Sequence, residues 1–315
     1  MNKKLDDYYS RLDQRLKPKA QKGVINFTVN EPLCVYDKEY RDYTLNLMRN
    51  ISGRTLSDYT PIHIDLTNCP KITASASVML FAEISRARIA TENDNIVTIS
   101  LPQEPELQAL LHNIGWAKAV NAGCREQNTL FDNNEVFQTL SDSGKAMASL
   151  LLSLRNSGIT LTSIEAKIFT KGVNEAMLNV LHHAYSHEES PLGGIGRRWW
   201  QCCYTLIKNN EPEKMVYIIF DLGQGILNSL PKDDINENIQ AHIIRAMSKG
   251  VTCTGEKDRG KGSQNMKDAM SIRENSILFV ASNNVVYCKK TDEVPESEEC
   301  IIPFIGTLVE WQIYI

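Results

Sequence analysis

Between Val24 and Val120 the chain switches hydrophobic period again and again, and no other feature of its 315 residues restricts the fold as much. VINFTV (24–29), PIHIDLTNC (61–69) and NIVTISLP (95–102) alternate like strands, while YRDYTLNLMRNI (40–51), VMLFAEISRARIA (78–90) and PELQALLHNIGWAKAV (105–120) carry apolar residues at helical spacing. Strand and helix in turn define an α/β layer. Gly115 is a candidate stop in the last of these helices. Residues 1–22 read as a polar lead-in, helical or frayed, that ends near Lys17-Pro18.

From Asn121 to Asp142 the pattern lapses into a loop rich in Asn and Gln, which marks a boundary. The expected division is a lead-in (1–22), an α/β domain (23–125), a linker (126–144) and a second domain (145–315). In the second part, SDSGKAMASLLLSLRNSG (141–158) restarts a helix, and Thr162-Ser-Ile-Glu165 is a capping box that opens another. Strands follow in series: WWQCCYTLIK (199–208), KMVYIIFDLG (214–223), SILFVASNNVVYCKK (276–290) and GTLVEWQIYI (306–315), interrupted by a polar insertion from about 228 to 262. This order predicts an α+β sandwich, with helices on one face of a mixed sheet.

Composition narrows the function classes. A net charge of −4 argues against holding nucleic acid or anionic lipid through bulk charge. Apolar runs such as Met215–Phe220 fall far short of the roughly 20 residues of a membrane span, and the charged N-terminus has no apolar signal core. The eight cysteines include no C-x-x-C pair and read as reduced thiols. The expectation is a cytoplasmic protein with no membrane partner and no nucleic-acid partner.

One helix is unusually polar for its setting. In NEAMLNVLHHAY (174–185), Phe169, Val173, Ala176, Met177, Val180 and Ala184 form one stripe with the preceding turn, and Glu175, Asn179 and His183 form a second stripe beside it. Three further motifs follow in order. IIFDLGQGI (218–226) ends an apolar strand in Asp221-x-Gly223-x-Gly225 and then Ile226: one carboxylate acceptor with thin backbone behind it. DRGKGSQNM (258–266) sets Gly260 and Gly262 before a helical segment, where backbone N–H groups can receive phosphate. Gly306-Thr307 opens the last strand.

Together, E175-x-x-x-N179, D221-x-G223-x-G225, G260-x-G262 and G306-T307 resemble the N, G1, G2 and GT elements of the Bergerat-fold (GHKL-type) ATPases, over roughly residues 145–315. The helix is especially similar to that of the anti-sigma-factor serine kinases. The resemblance implies ATP and Mg²⁺ as cofactors, with Asn179 as the Mg²⁺ ligand and Glu175 as the general base. It implies Asp221 as the acceptor for the adenine amino group, and nucleotide contacts from Gly223, Gly225, Ile226, Gly260, Lys261, Gly262 and Thr307. His183 is either a nucleotide contact or a boundary histidine. The G2 stretch, G-K-G-S-Q-N-M, lacks the Leu and third Gly common there, and the phospho-accepting His box of sensor kinases is missing.

Beside such a domain, HIDLTNCPKITASASVMLFAEI (63–84) with LPQEPELQALLHNIGW (101–116) resembles the STAS domain of anti-sigma-factor antagonists. That likeness puts Ser75 near the phospho-accepting serine; the other reading makes Ser75 and Ser77 helix cappers. The expected function is an ATP- and Mg²⁺-dependent regulatory switch that slowly hydrolyses ATP or phosphorylates a serine on a partner protein or on its own STAS-like domain. An ATP-binding interaction module, or an ATP-gated effector of a stress or defence system, stays open as the alternative. A homodimer is compatible with either.

Overall fold

The computed structural model describes residues 3–123, 135–156, 159–185, 196–208, 211–229, 238–248 and 262–315. They fall into two compact units that part in the interval between 123 and 135.

The first unit carries the expected alternation. Strands β1 (Lys19–Gln21), β2 (Val24–Thr28), β3 (Ile62–Asp65) and β4 (Val97–Ser100) form a mixed sheet in that order, with β1 antiparallel to β2 and the other pairs parallel. Between the parallel strands run α2 (Lys38–Ser52) and α3 (Ala74–Thr91); α4 (Pro105–Asn113) and α5 (Trp116–Asn121) follow β4, parted at Gly115. Helix α3 is buried continuously from Ser75 to Arg88, so it is the unit's core helix. Its charged groups have internal partners, Arg86 only in part: Arg86 pairs through Nη2 with Glu83 and Ser52 while its Nε and Nη1 have no hydrogen bond among the described residues, and Arg88 donates to the carbonyls of Val97, Val120 and Ala122.

The lead-in is structural, not frayed. Helix α1 (Lys3–Arg15) docks through buried Leu12 and Leu16, and Asp13 accepts from Asn46 and Asn50 of α2 at 2.8 Å each. The Tyr8 hydroxyl bonds Asp42 and the Arg49 guanidinium stacks on the Tyr9 ring, so polar contacts to α2 add to the burial of the two leucines.

The second unit has the strands β5 (Phe137–Leu140), β6 (Trp199–Lys208), β7 (Glu211–Asp221), β8 (Ile277–Lys290) and β9 (Glu296–Tyr314) in spatial order β5-β6-β7-β9-β8. Two expectations need correction. Phe137–Leu140, assigned to a linker, is an edge strand paired with β6; at four residues it is too short to show a period. The sheet is also antiparallel throughout, not mixed. β7 and β8 do run the same way, but β9 lies between them and pairs antiparallel with both.

Helices α6 (Ser143–Asn156), α7 (Ser163–Asn179) and α9 (Gly262–Met270) cover one face of this sheet, and α8 (Ile239–Ala246) lies within the polar insertion. Ser149 of α6 bonds Gln138 of β5, Phe169 of α7 meets Tyr217 and Trp311 edge-on, and the Trp311 indole donates to the Met266 carbonyl of α9 at 2.9 Å. The capping box is formed as expected: Glu165 N donates to the Thr162 hydroxyl, and the Glu165 carboxylate accepts from Thr162 N.

No helix among the described residues is long and apolar enough to cross a membrane. The described cysteines form no disulfide with one another, and burial pushes the Cys69 thiol up to about 11.

Candidate functional site

The apolar strand β7 ends at Asp221, which stands opposite Thr307 of β9. Asp221 is only 3 % exposed, and its Oδ1 accepts from the Gly223 N–H at 2.8 Å. Burial pushes its carboxyl up to about 7; the backbone N–H groups of Gly223 and Thr307 favour the ionised form but offset only part of this.

The turn after Asp221 is clamped from two sides. Helix α7 runs on into a wide turn at Val180–Ala184, and Gly223 lies flat on it: an added Cβ would stand 2.1 Å from the Ala184 carbonyl oxygen. Gln224 donates from its backbone to Ala184 O and from its side chain to His183 O, both at 2.8 Å. On the other side, Ser282 accepts from Ile226 N and Asn283 accepts from Leu227 N. Gly225, at φ +82°, turns the chain where a Cβ would strike the Asn283 amide at 2.4 Å. The Thr307 hydroxyl hydrogen-bonds Ser282 at 3.1 Å, which joins the final strand to the same cluster.

A second cluster surrounds Glu175. Its Oε1 accepts from the Asn265 amide at 2.8 Å, and a Cβ on Gly262 would lie 3.0 Å from Oε2. Asn179, one turn further along α7, is exposed. The His183 side chain is half-buried, with the His182 ring edge-on to it at 6.0 Å.

The structure therefore brings Asp221, Gly223, Gly225, Ile226 and Thr307 together with the end of α7, and brings Glu175 together with Gly262. The two clusters lie eight residues apart along one helical run, roughly 12 Å at helical rise. Gly260, Lys261 and neighbouring Arg259 lie outside the described residues. Sequence reading missed Ser282, Asn283 and Asn265. Asn283 had a signal, because Asn-Asn inside an apolar strand run breaks the strand preference; it takes φ +53°. Tyr185 is a buried staple: its hydroxyl donates to Arg198 O and accepts from Leu222 N.

Ser75 belongs to the first unit. It sits in the first turn of α3 with no exposed surface, and its N–H donates to the Tyr36 hydroxyl. It is not the capper, since Thr73 holds the N-cap position; Ser77 bonds back to Ala74 O.

Among the described residues no three His, Cys, Asp or Glu side chains stand close enough to hold a metal by themselves. A separate surface cleft of about 530 Å³ opens between Arg273, Glu274, Lys289 and Asp292, but its cations are engaged: Arg273 with Glu165, and Lys289 with the Glu293 carbonyl. No known family model, curated protein or solved structure matches the chain.

Proposed function

We propose that residues 145–315 form a Bergerat-type ATP site and residues 23–125 a STAS-like domain, and that the protein is an ATP-dependent regulatory switch acting on a partner protein. The observation that carries this reading is the joint placement of Asp221 with Thr307 and the glycine turn at the C-terminal end of the α7 run, and of Glu175 eight residues back along it. A nucleotide laid along α7 would put adenine against Asp221, whose oxygen accepts from an amino group and repels a carbonyl. Its phosphates would then extend toward Glu175, the general base for an attacking water or serine hydroxyl. Mg²⁺ binds mostly through phosphate and water with one or two protein oxygens, so the single exposed amide of Asn179 fits it, and the ion would supply charge neutralisation at the phosphates.

The buried position of Ser75 directs the transfer reading toward a serine on a partner and away from the protein's own α3. Incubation with γ-labelled ATP and Mg²⁺, alone and with cell lysate, tests the proposal, with free phosphate and labelled protein followed separately. Free phosphate indicates an ATPase and labelled protein a kinase. Binding with neither leaves an ATP-shaped docking module. Absence of binding removes the nucleotide assignment. In Glu175→Ala, ATP binding is retained and turnover is lost.

A further inference from the structure

Helices α7 and α9 are in close contact at Gly172, where an added Cβ would lie 2.5 Å from both the Ala269 Cβ and the Asn265 carbonyl oxygen. Glu175 follows Gly172 by three residues and so shares its side of α7. There the Asn265 side chain, 6 % exposed, donates to Glu175 Oε1. Asn265 is followed along α9 by the buried apolar residues Met266, Ala269 and Met270. An aliphatic side chain would fill such a place without the desolvation cost of an amide, and the amide's partner here is the carboxylate. The donor is also held in position, by the contact at Gly172 and by the Trp311 bond to the Met266 carbonyl.

We infer that Asn265 is the positioning residue for Glu175: its amide holds Oε1, leaving Oε2, on the Gly262 side, to take the proton. This rests on the ATP reading of the site. In the hydrolytic step, Oε2 takes a proton from water, the water oxygen bonds to the γ-phosphorus, and the bond from that phosphorus to the bridging oxygen breaks, with the electron pair leaving on ADP. A glutamate with three rotatable bonds gains rate from being held, because general-base catalysis depends on where the lone pair points.

The test compares the full chain with Glu175→Gln, Asn265→Leu, Asn265→Asp and the Glu175→Gln/Asn265→Leu double variant, measuring Mg·ATP affinity and kcat separately. Asn265→Leu is expected to lower kcat by roughly 10- to 100-fold at unchanged ATP affinity. Adding it to Glu175→Gln is expected to cost nothing more, since the group it positions is already disabled. Should thermal melting show that Asn265→Leu does not fold, the isosteric Asn265→Asp decides by its own kcat and ATP affinity. Wild-type kcat in the Asn265 variant, a loss confined to ATP affinity, or additive losses in the double variant would each overturn the positioning role while leaving the ATP site standing. A wild-type protein that neither binds nor turns over ATP would overturn both.

Discussion

An added Cβ at Gly306 would stand 1.9 Å from the carbonyl oxygen of Asp221, and the Gly306 backbone already holds φ +76°. The last strand begins at Glu296, not at Gly306 as the sequence suggested, so it is the middle of β9 that is fitted to the end of β7 through a residue with no side chain. Gly306→Ala adds a clash with rigid backbone to a strained φ. It is expected to cost about 3 kcal/mol or more, which lowers Tm by roughly 6–12 °C in a domain of this size. A melting curve within a degree or two of wild type would show that the strands separate at little cost.

Asp221 gives the protein a stability profile with a definite sign. Its carboxyl titrates at about 7 when folded and near about 4 when unfolded. Between those values the native state keeps a proton that the unfolded chain has released. Stability therefore falls as pH rises through this window and levels off above it, with a full swing on the order of 4 kcal/mol. Asp221→Asn removes that dependence and is expected to be the more stable protein at pH 8. It also turns an amide donor toward the nucleotide, so ATP should bind roughly 10- to 100-fold more weakly. Denaturant titrations from pH 4 to 8 and an ATP titration measure both effects; a variant less stable than wild type at pH 8 would refute the burial argument.

Ser75 should carry no phosphate after the intact protein is incubated with Mg·ATP and lysate, because its side chain has no exposed surface. Peptide mass spectrometry reads this directly. Substantial phosphate on Ser75 would mean that the start of α3 opens readily.

The Glu83–Arg86 pair, with Ser52 bonded to the same carboxylate, lies inside the first unit. Glu83→Ala strands a buried guanidinium and is expected to cost about 3–5 kcal/mol. The double change Glu83→Leu/Arg86→Met should recover much of that loss in chemical denaturation. A single variant with wild-type stability would show that water reaches the pair.

The extent to which the site could be read in advance followed sequence distance. The Glu175/Asn179 stripe and the Asp-x-Gly-x-Gly turn are local patterns, and the helix and strand they foretold are present. The partners of those residues were not legible. Asn265 is 90 residues from Glu175, and Ser282 is 56 from Ile226. The glycine motif beside Asn265 marks Gly260 and Gly262, and within it the amide reads like any surface Asn in a polar run.

The same division holds for the fold. Helical and extended periods, the stop at Gly115 and the Thr162–Glu165 capping box depend on neighbours within one or two turns, so the sequence by itself determined them. The docking of α1 through Leu12 and Leu16, the recruitment of Phe137–Leu140 as an edge strand and the insertion of β9 between β7 and β8 were decided only by tertiary structure. Each depends on which apolar faces meet across long stretches of chain, and the free energy that selects among those meetings is burial shared by both partners, recorded in neither segment alone.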